Sequence, residues 1–341
     1  MLVAKSKTVK TLTASIVALS AMAFSVSSWA SERVRLSIAT ESGDVSSPNG
    51  QAVKRIADLV SEKSDGRISI NVFYQGQLGG PQELFDQLVR GNVDLFLGWP
   101  QTSYDMRLGV LTLPYLTLSW EEALEAYSKD GWVSEVINPI LSGMGLAYLG
   151  PFPEGFGGVA TAKKYATNYD DARGIKVRSA PIFPLPQTVQ AMGFQAVPID
   201  WSEVYTSIQT GVVDGDSSNV IYWDYTYFND LLDYFVHTKH NFSFYTFLMN
   251  EDSWNALSES DRAIVADAVE TVVNEQFKNA RSEDEKWIQK AQEDGMQYIV
   301  PTDEEMSAWV ERVRSDVWER AERAIGKDIM DVVRANAEQV Q

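Results

Sequence analysis

The sequence predicts an α/β protein of two lobes, each an open, mostly parallel sheet flanked by helices, with a long helix bridging them. Three observations lead there. After its leader the chain is too long for one hydrophobic core. A strand–helix–strand grammar runs through its first part and returns later. And two stretches, ELFDQLVRGNVDLFLGW (83–99) and EVYTSIQTGVVDGDSSN (203–219), align without gaps.

The first thirty residues are expected to be a leader. Lys5, Lys7 and Lys10 precede an apolar run, 11–26, too short to span a bilayer, and Ser28 and Ala30 suit a cleavage site. Cleavage after Ala30 is the expectation, with a retained membrane anchor as the alternative. The full chain has 341 residues and a formal charge of −18, which loss of three lysines takes to −21. Such a charge disfavours nucleic acid and anionic lipid. The chain has no cysteine, which excludes thiol catalysis, zinc–thiolate sites and iron–sulfur clusters.

RVRLSIAT alternates as a strand. SPNGQAVKRIADLVSEKSDG follows as a helix with Val53, Ile56, Ala57 and Val60 as its buried stripe and Gly66 as its stop. RISINVFYQG, PQELFDQLVRG and NVDLFLGW read as strand, helix and strand. The second series runs GIKVRS, PQTVQAMG, FQAVPI, SEVYTSIQTG and VVDGDSSN. Within the gap-free alignment, Leu88 meets Ile208, and Gly91, Val93 and Asp94 meet Gly211, Val213 and Asp214. In the tail, Ser258 and Asp261 resemble a capping box before a helix of unusual length. QYIVP is a short strand, and a final amphipathic helix uses Trp309, Val313 and Trp318 as core contacts. The expected division is 31–155 plus about 244–283 for the first lobe, and 156–243 plus about 284–341 for the second.

Catalytic signals are weak. His237 and His240 are the only histidines and have no acidic partner nearby, so a structural role is preferred to a metal. No phosphate loop or nucleophile elbow occurs. Asp214-Gly-Asp216-Ser-Ser-Asn219 lacks the glycine and glutamate of a calcium loop. No cofactor or metal is expected.

Binding is better supported, because open α/β sheets collect ligands at the carboxyl ends of their parallel strands. Those ends carry Glu41 and Trp99 in the first lobe, and Arg178, Ser218 and Asn219 in the second. Trp201 stands before the SEVY helix. An arginine closing a strand ordinarily faces water; here it would enter a cleft, where its planar fork suits a carboxylate. The tryptophans serve equally as ligand walls or as core.

The runs IADLVSEKSDGRISINVFYQGQLGG, LTLPYL and ARGIKVRS…GFQAVPIDWSEVYTSIQTGVVDG resemble the solute-binding subunits of TRAP (tripartite ATP-independent periplasmic) transporters, from about residue 33 to the tail. The resemblance implies a two-lobed periplasmic binding protein fold, hinge closure around a small organic acid, and delivery to a membrane permease driven by an ion gradient. It places the family's carboxylate-gripping arginine at Arg178, its stacking aromatic at Trp201 and a ligand-facing position at Trp99. Two departures stand out. Where many members have Q-E-N after the second VDG, this chain has Asp216-Ser217-Ser218 and then Asn219, so either Ser218 or Asn219 takes the asparagine's place. Where some members carry a second arginine, this chain has Gly157 and Gly158 and offers Phe156.

The resulting expectation is a monomeric periplasmic binding protein, not an enzyme, for a monocarboxylate or zwitterion. Glu41 would meet an amine, and Trp223 with Tyr222 would add to an aromatic cage, though both also suit the core. A periplasmic sensory protein or an enzyme acting on small acids are the alternatives.

Overall fold

The computed structural model describes residues 33–337, so the leader expected at 1–30 lies outside the described residues. Among the described residues, eleven strands form two sheets. In chain order they are β1 (Val34–Thr40), β2 (Ile68–Phe73), β3 (Leu95–Gly98), β4 (Leu146–Phe156), β5 (Val159–Thr161) and β6 (Lys176–Ser179), then β7 (Gln195–Pro198), β8 (Gly215–Asp216), β9 (Tyr234–Val236), β10 (Phe242–Asn250) and β11 (Gln297–Ile299). The first sheet has the order β2-β1-β3-β10-β4 and the second β11-β9-β5-β8-β6-β7. The expected parallel strands are present as β1–β2, β1–β3, β6–β7 and β6–β8. Both sheets are nevertheless mixed. β10 runs antiparallel to β3 and β4, and β5 runs antiparallel to β8 and β9. The reversals fall where the chain passes between sheets, from β4 into β5 and from β9 into β10.

The helices form for the reasons the sequence suggests. Pro48–Lys63 starts on Ser47, whose hydroxyl accepts the Gly50 N–H, and buries Val53, Ile56 and Val60 completely. Each of those side chains contributes about 1.5–3 kcal/mol of burial free energy. Ser258 caps Glu259–Glu293 by accepting the Asp261 N–H at 3.2 Å. Those 35 residues span about 52 Å at 1.5 Å per residue. The early part of this helix, with Val265, Val269 and Val273, packs among Leu36, Ile38 and Phe247 of the first sheet. Its late part, with Trp287 and Ala291, packs among Ala160 and Phe235 of the second. It therefore bridges the two sheets.

Within the segment expected to belong to the second lobe, the described residues 284–337 divide between the two sheets. Trp309, Val310 and Val313 join the cluster of Val177 and Met192 beside the second sheet. Ala321, Ile325, Met330 and Val333 join the cluster of Leu88, Leu108 and Phe96 beside the first.

Candidate functional site

Both sheets turn their strand ends toward one enclosed cavity of about 50 Å³. From the first come Glu41 after β1, Trp99 after β3, Glu154 on β4, and Ser243 and Tyr245 on β10. From the second come Arg178 on β6, Trp201, Ser218 and Asn219, with Trp223 on the helix that follows. The structure thus brings together seven of the eight residues singled out above.

Arg178 is buried at 4% exposure. Its Nε donates to the Ile199 carbonyl at 2.8 Å, and Nη1 donates to Asp216 Oδ1 at 3.1 Å. Its guanidinium carbon lies 5.9 Å from the centre of the Trp201 ring. The other oxygen of Asp216 accepts the Ser218 N–H at 2.9 Å. Ser218 Oγ in turn accepts the Ala180 N–H at 3.0 Å. One N–H of the Asn219 amide donates to Asp224 Oδ1 at 2.8 Å. His240 props the same loop. Its Nε2 lies 2.7 Å from the Ser217 carbonyl and must donate there, which leaves Nδ1 to accept from Thr238. Burial lowers its pKa to about 4, consistent with a neutral ring.

The opposite wall is acidic and aromatic. Burial pushes Glu41 up to about 8; the Trp99 backbone N–H pulls the other way, and the neighbouring Glu154 pushes further up. Burial takes Glu154 to about 7, against hydrogen bonds from Ser243 and Trp223. Those bonds measure 2.6 Å from Ser243 Oγ and 3.0 Å from Trp223 Nε1. Among the described residues, Glu41 Oε2 and Trp201 Nε1 are buried with no hydrogen-bond partner. One acceptor and one donor are therefore available to an occupant. Trp99 is fixed by donating to the Phe244 carbonyl at 2.9 Å and meets Tyr245 edge-on at 5.7 Å.

The proline-rich run after Arg178 closes the side of the cavity. Ala180, Ile182 and Leu185 pack against Trp99. The Phe183 N–H donates to Thr102 at 3.2 Å, and its carbonyl accepts from Thr112 at 2.9 Å.

Phe156 is not brought to the cavity. It is buried against Phe242 and Trp120, with ring centres 5.0 and 5.9 Å away. The cause is a bulge in the β4–β10 ladder: Phe244 pairs with Pro153 and Ser243 with Gly155, which leaves Glu154 as the extra residue. The bulge turns Glu154 to the cavity and Phe156 to the core. Tyr222 lines a separate groove beside the long helix rather than this cavity. The sequence reading passed over Glu154 and Tyr245. Glu154 sits in a proline- and glycine-rich run with no periodicity, and Tyr245 in a strand buried along its whole length, which shows no alternation.

The match to the family DctP, bacterial extracellular solute-binding protein family 7, covers residues 39–323. The chain belongs to that family. It is 29% identical over 231 residues to a solute-binding protein of Chromohalobacter salexigens, covering 67% of this chain and 68% of the relative. It is 24% identical over 306 residues to the ectoine-binding periplasmic protein TeaA of Halomonas elongata, covering 88% of each. The high-resolution structure of the periplasmic ectoine-binding protein from the TeaABC TRAP transporter of Halomonas elongata superimposes with a TM-score of 0.81 over 90% of this chain and all of that one, at 23% identity. A TRAP periplasmic solute-binding protein of Sulfurospirillum deleyianum with bound succinate gives the same TM-score, identity and coverage. The family comprises TRAP transport proteins that bind solutes in the periplasm, so this DctP chain has the two-lobed fold and a binding role rather than an enzymatic one.

Proposed function

We propose that this chain captures a small zwitterion, with one carboxylate and one cationic group, in the cavity between its sheets and hands it to an ion-gradient-driven permease. In this reading Arg178 takes the carboxylate through the N–H groups it does not spend on Ile199 and Asp216. Glu41 meets the cationic group, and Trp99, Trp201 and Trp223 flank the body of the ligand. Ser218 and Asn219 shape the loop beneath Arg178 rather than gripping the ligand with free side chains. The observation that carries the reading is the presence, in one enclosed space, of Arg178 and of a Glu41 carboxyl oxygen with no partner. Burial by itself holds this carboxyl neutral, and an ammonium or amidinium beside it favours its charged form and completes its hydrogen bonding.

A cavity of about 50 Å³ takes only a few waters. Capture therefore requires the lobes to part and close again around the solute, which biases the open–closed equilibrium by its preference for the closed form. Export by the leader at 1–30 and action as a monomer complete the reading.

A thermal-shift screen of the mature chain tests it, because a ligand of the closed form raises apparent stability by mass action. Zwitterions such as ectoine are expected to raise Tm most, and Arg178→Ala to abolish the rise. Stabilisation by dicarboxylates or sugar acids with none from any zwitterion would overturn the assignment.

A further inference from the structure

We propose that Asp216 is a positioning residue that sets the net charge of the ligand. By neutralising Arg178 from behind the cavity wall, it admits a carboxylate balanced within its own molecule and rejects a dianion. This inference rests on the cavity being the ligand site.

Asp216 is fully buried, does not line the cavity, and has both oxygens engaged, one by Arg178 and one by the Ser218 N–H. It can therefore reach a ligand only through Arg178. A guanidinium offers five N–H donors. Ile199 and Asp216 take one each, which fixes the plane of the fork and leaves the others for an occupant.

The charge balance follows. Among the described residues, Arg178 is the only cationic one lining the cavity, and Asp216 cancels it. A second buried acid, Asp224, stands close by; burial and the Asp216 charge push it well above the usual carboxylate range, towards its neutral form. The remaining acids lining the cavity, the buried Glu41 and Glu154 and the exposed Asp200, bring no positive charge. A single carboxylate whose molecule also carries a cation leaves this balance intact. A second carboxylate meets no counter-charge and faces Glu41 and Glu154, and like-charge juxtaposition is a strong source of rejection.

Stability does not explain the pair. Replacing a buried ion pair by apolar groups is commonly neutral or stabilising. The first sheet does so at the matching ladder position, where Ala39 pairs in register with Phe96 as Arg178 does with Asp216.

The test compares four mature chains: the native protein, Asp216→Asn, Asp216→Glu and Asp216→Gln. Each is titrated calorimetrically with succinate and with ectoine at fixed ionic strength, after circular dichroism and apparent Tm have established folding. The readout is succinate affinity relative to ectoine affinity. It is expected to rise about tenfold or more in Asn and Gln, and to stay at the native level in Glu. Asp and Asn match in size, as do Glu and Gln, so a purely structural role would group the variants by length instead of by charge. Grouping by length, or no gain in succinate affinity when position 216 is neutralised, overturns the inference. Should the longer pair fail to fold, Asp216→Asn against the native chain decides it. A native protein that prefers succinate would defeat the zwitterion reading, yet the shift with charge at position 216 would still be read. A relative affinity that never moves while ectoine is preferred throughout defeats this inference alone.

Discussion

The same corner is built twice in this molecule and filled with different chemistry. In the first sheet, Gly91 follows a helix with φ 71°, Val93 N–H returns to Gln87, and Asp94 accepts the Ser37 N–H at 2.7 Å. In the second, Gly211 has φ 74°, Val213 N–H returns to Ser207, and Asp214 accepts the Lys176 N–H at 2.9 Å. Two residues further along each ladder the lobes part company. Ala39 faces Phe96 in one, and Arg178 faces Asp216 in the other. Ala39 and Phe96 lie in the apolar core. The second lobe keeps the scaffold and spends the equivalent pair on a fixed cation with its counter-ion. The first lobe supplies an acid just past the same strand, Glu41, with no counter-ion bonded to it.

That contrast between an unpaired and a paired buried acid sets the largest expected effect. Below its ordinary pKa of 4.5, Glu41 is protonated in the folded and unfolded chains alike, and it costs nothing. Between 4.5 and about 8 the unfolded chain ionises while the folded one holds its proton, so stability falls as pH rises, and it levels off above 8. The gap corresponds to roughly 5 kcal/mol for the ligand-free protein. Urea titrations at pH 5 and pH 8 should show the native chain losing more stability than Glu41→Gln over that interval. Equal losses would mean Glu41 is ionised in the folded protein and paired by some other group.

The second expected effect tests whether the ion pair belongs to function. Arg178→Ala alone leaves Asp216 buried without its cation and should cost about 3–5 kcal/mol. Arg178→Met with Asp216→Leu makes the second corner apolar like the first, and most of that loss should be recovered. The Ser218 N–H and the Ile199 carbonyl, each left without its partner, account for the remainder. Ligand binding should be absent from both chains. If the double variant is no more stable than Arg178→Ala, the pair is a structural requirement of the second lobe and the comparison with Ala39–Phe96 fails.

The repeat was legible in the sequence because it rests on local grammar. A helix stop at glycine, an apolar residue two positions on and an aspartate next to it are read from spacing alone. Arg178, Trp99, Glu41 and the 217–219 loop were legible for the same reason, since strand ends in α/β sheets converge. The residues that were missed owe their positions to contacts distant in sequence. Glu154 reaches the cavity only because a bulge forms against β10, 89 residues away from it at Ser243. The same bulge turns Phe156 inward. The pairing of Asp216 with Arg178 depends on ladder register, which periodicity does not disclose, and the antiparallel runs of β5 and β10 depend on the chain crossing between sheets.

The smallest effect examines the scaffold itself. Gly91 and Gly211 adopt the left-handed backbone that a Cβ disfavours, so Gly91→Ala and Gly211→Ala should each cost about 1–2 kcal/mol. The surroundings differ only slightly. A Cβ at 211 meets no atom within 4 Å, whereas one at 91 comes 3.4 Å from the Asn250 side chain. That is ordinary van der Waals contact, and the Asn250 side chain, which donates to the Leu88 carbonyl at 3.1 Å and accepts the Ser253 N–H at 3.1 Å, need not move to allow it. The two substitutions should therefore cost the same to within a few tenths of a kcal/mol, measured by urea unfolding with unchanged m-values. If one substitution costs about 1–2 kcal/mol and the other nothing, the two turns share a backbone shape without sharing its strain, and the correspondence between the lobes would be limited to hydrogen bonding.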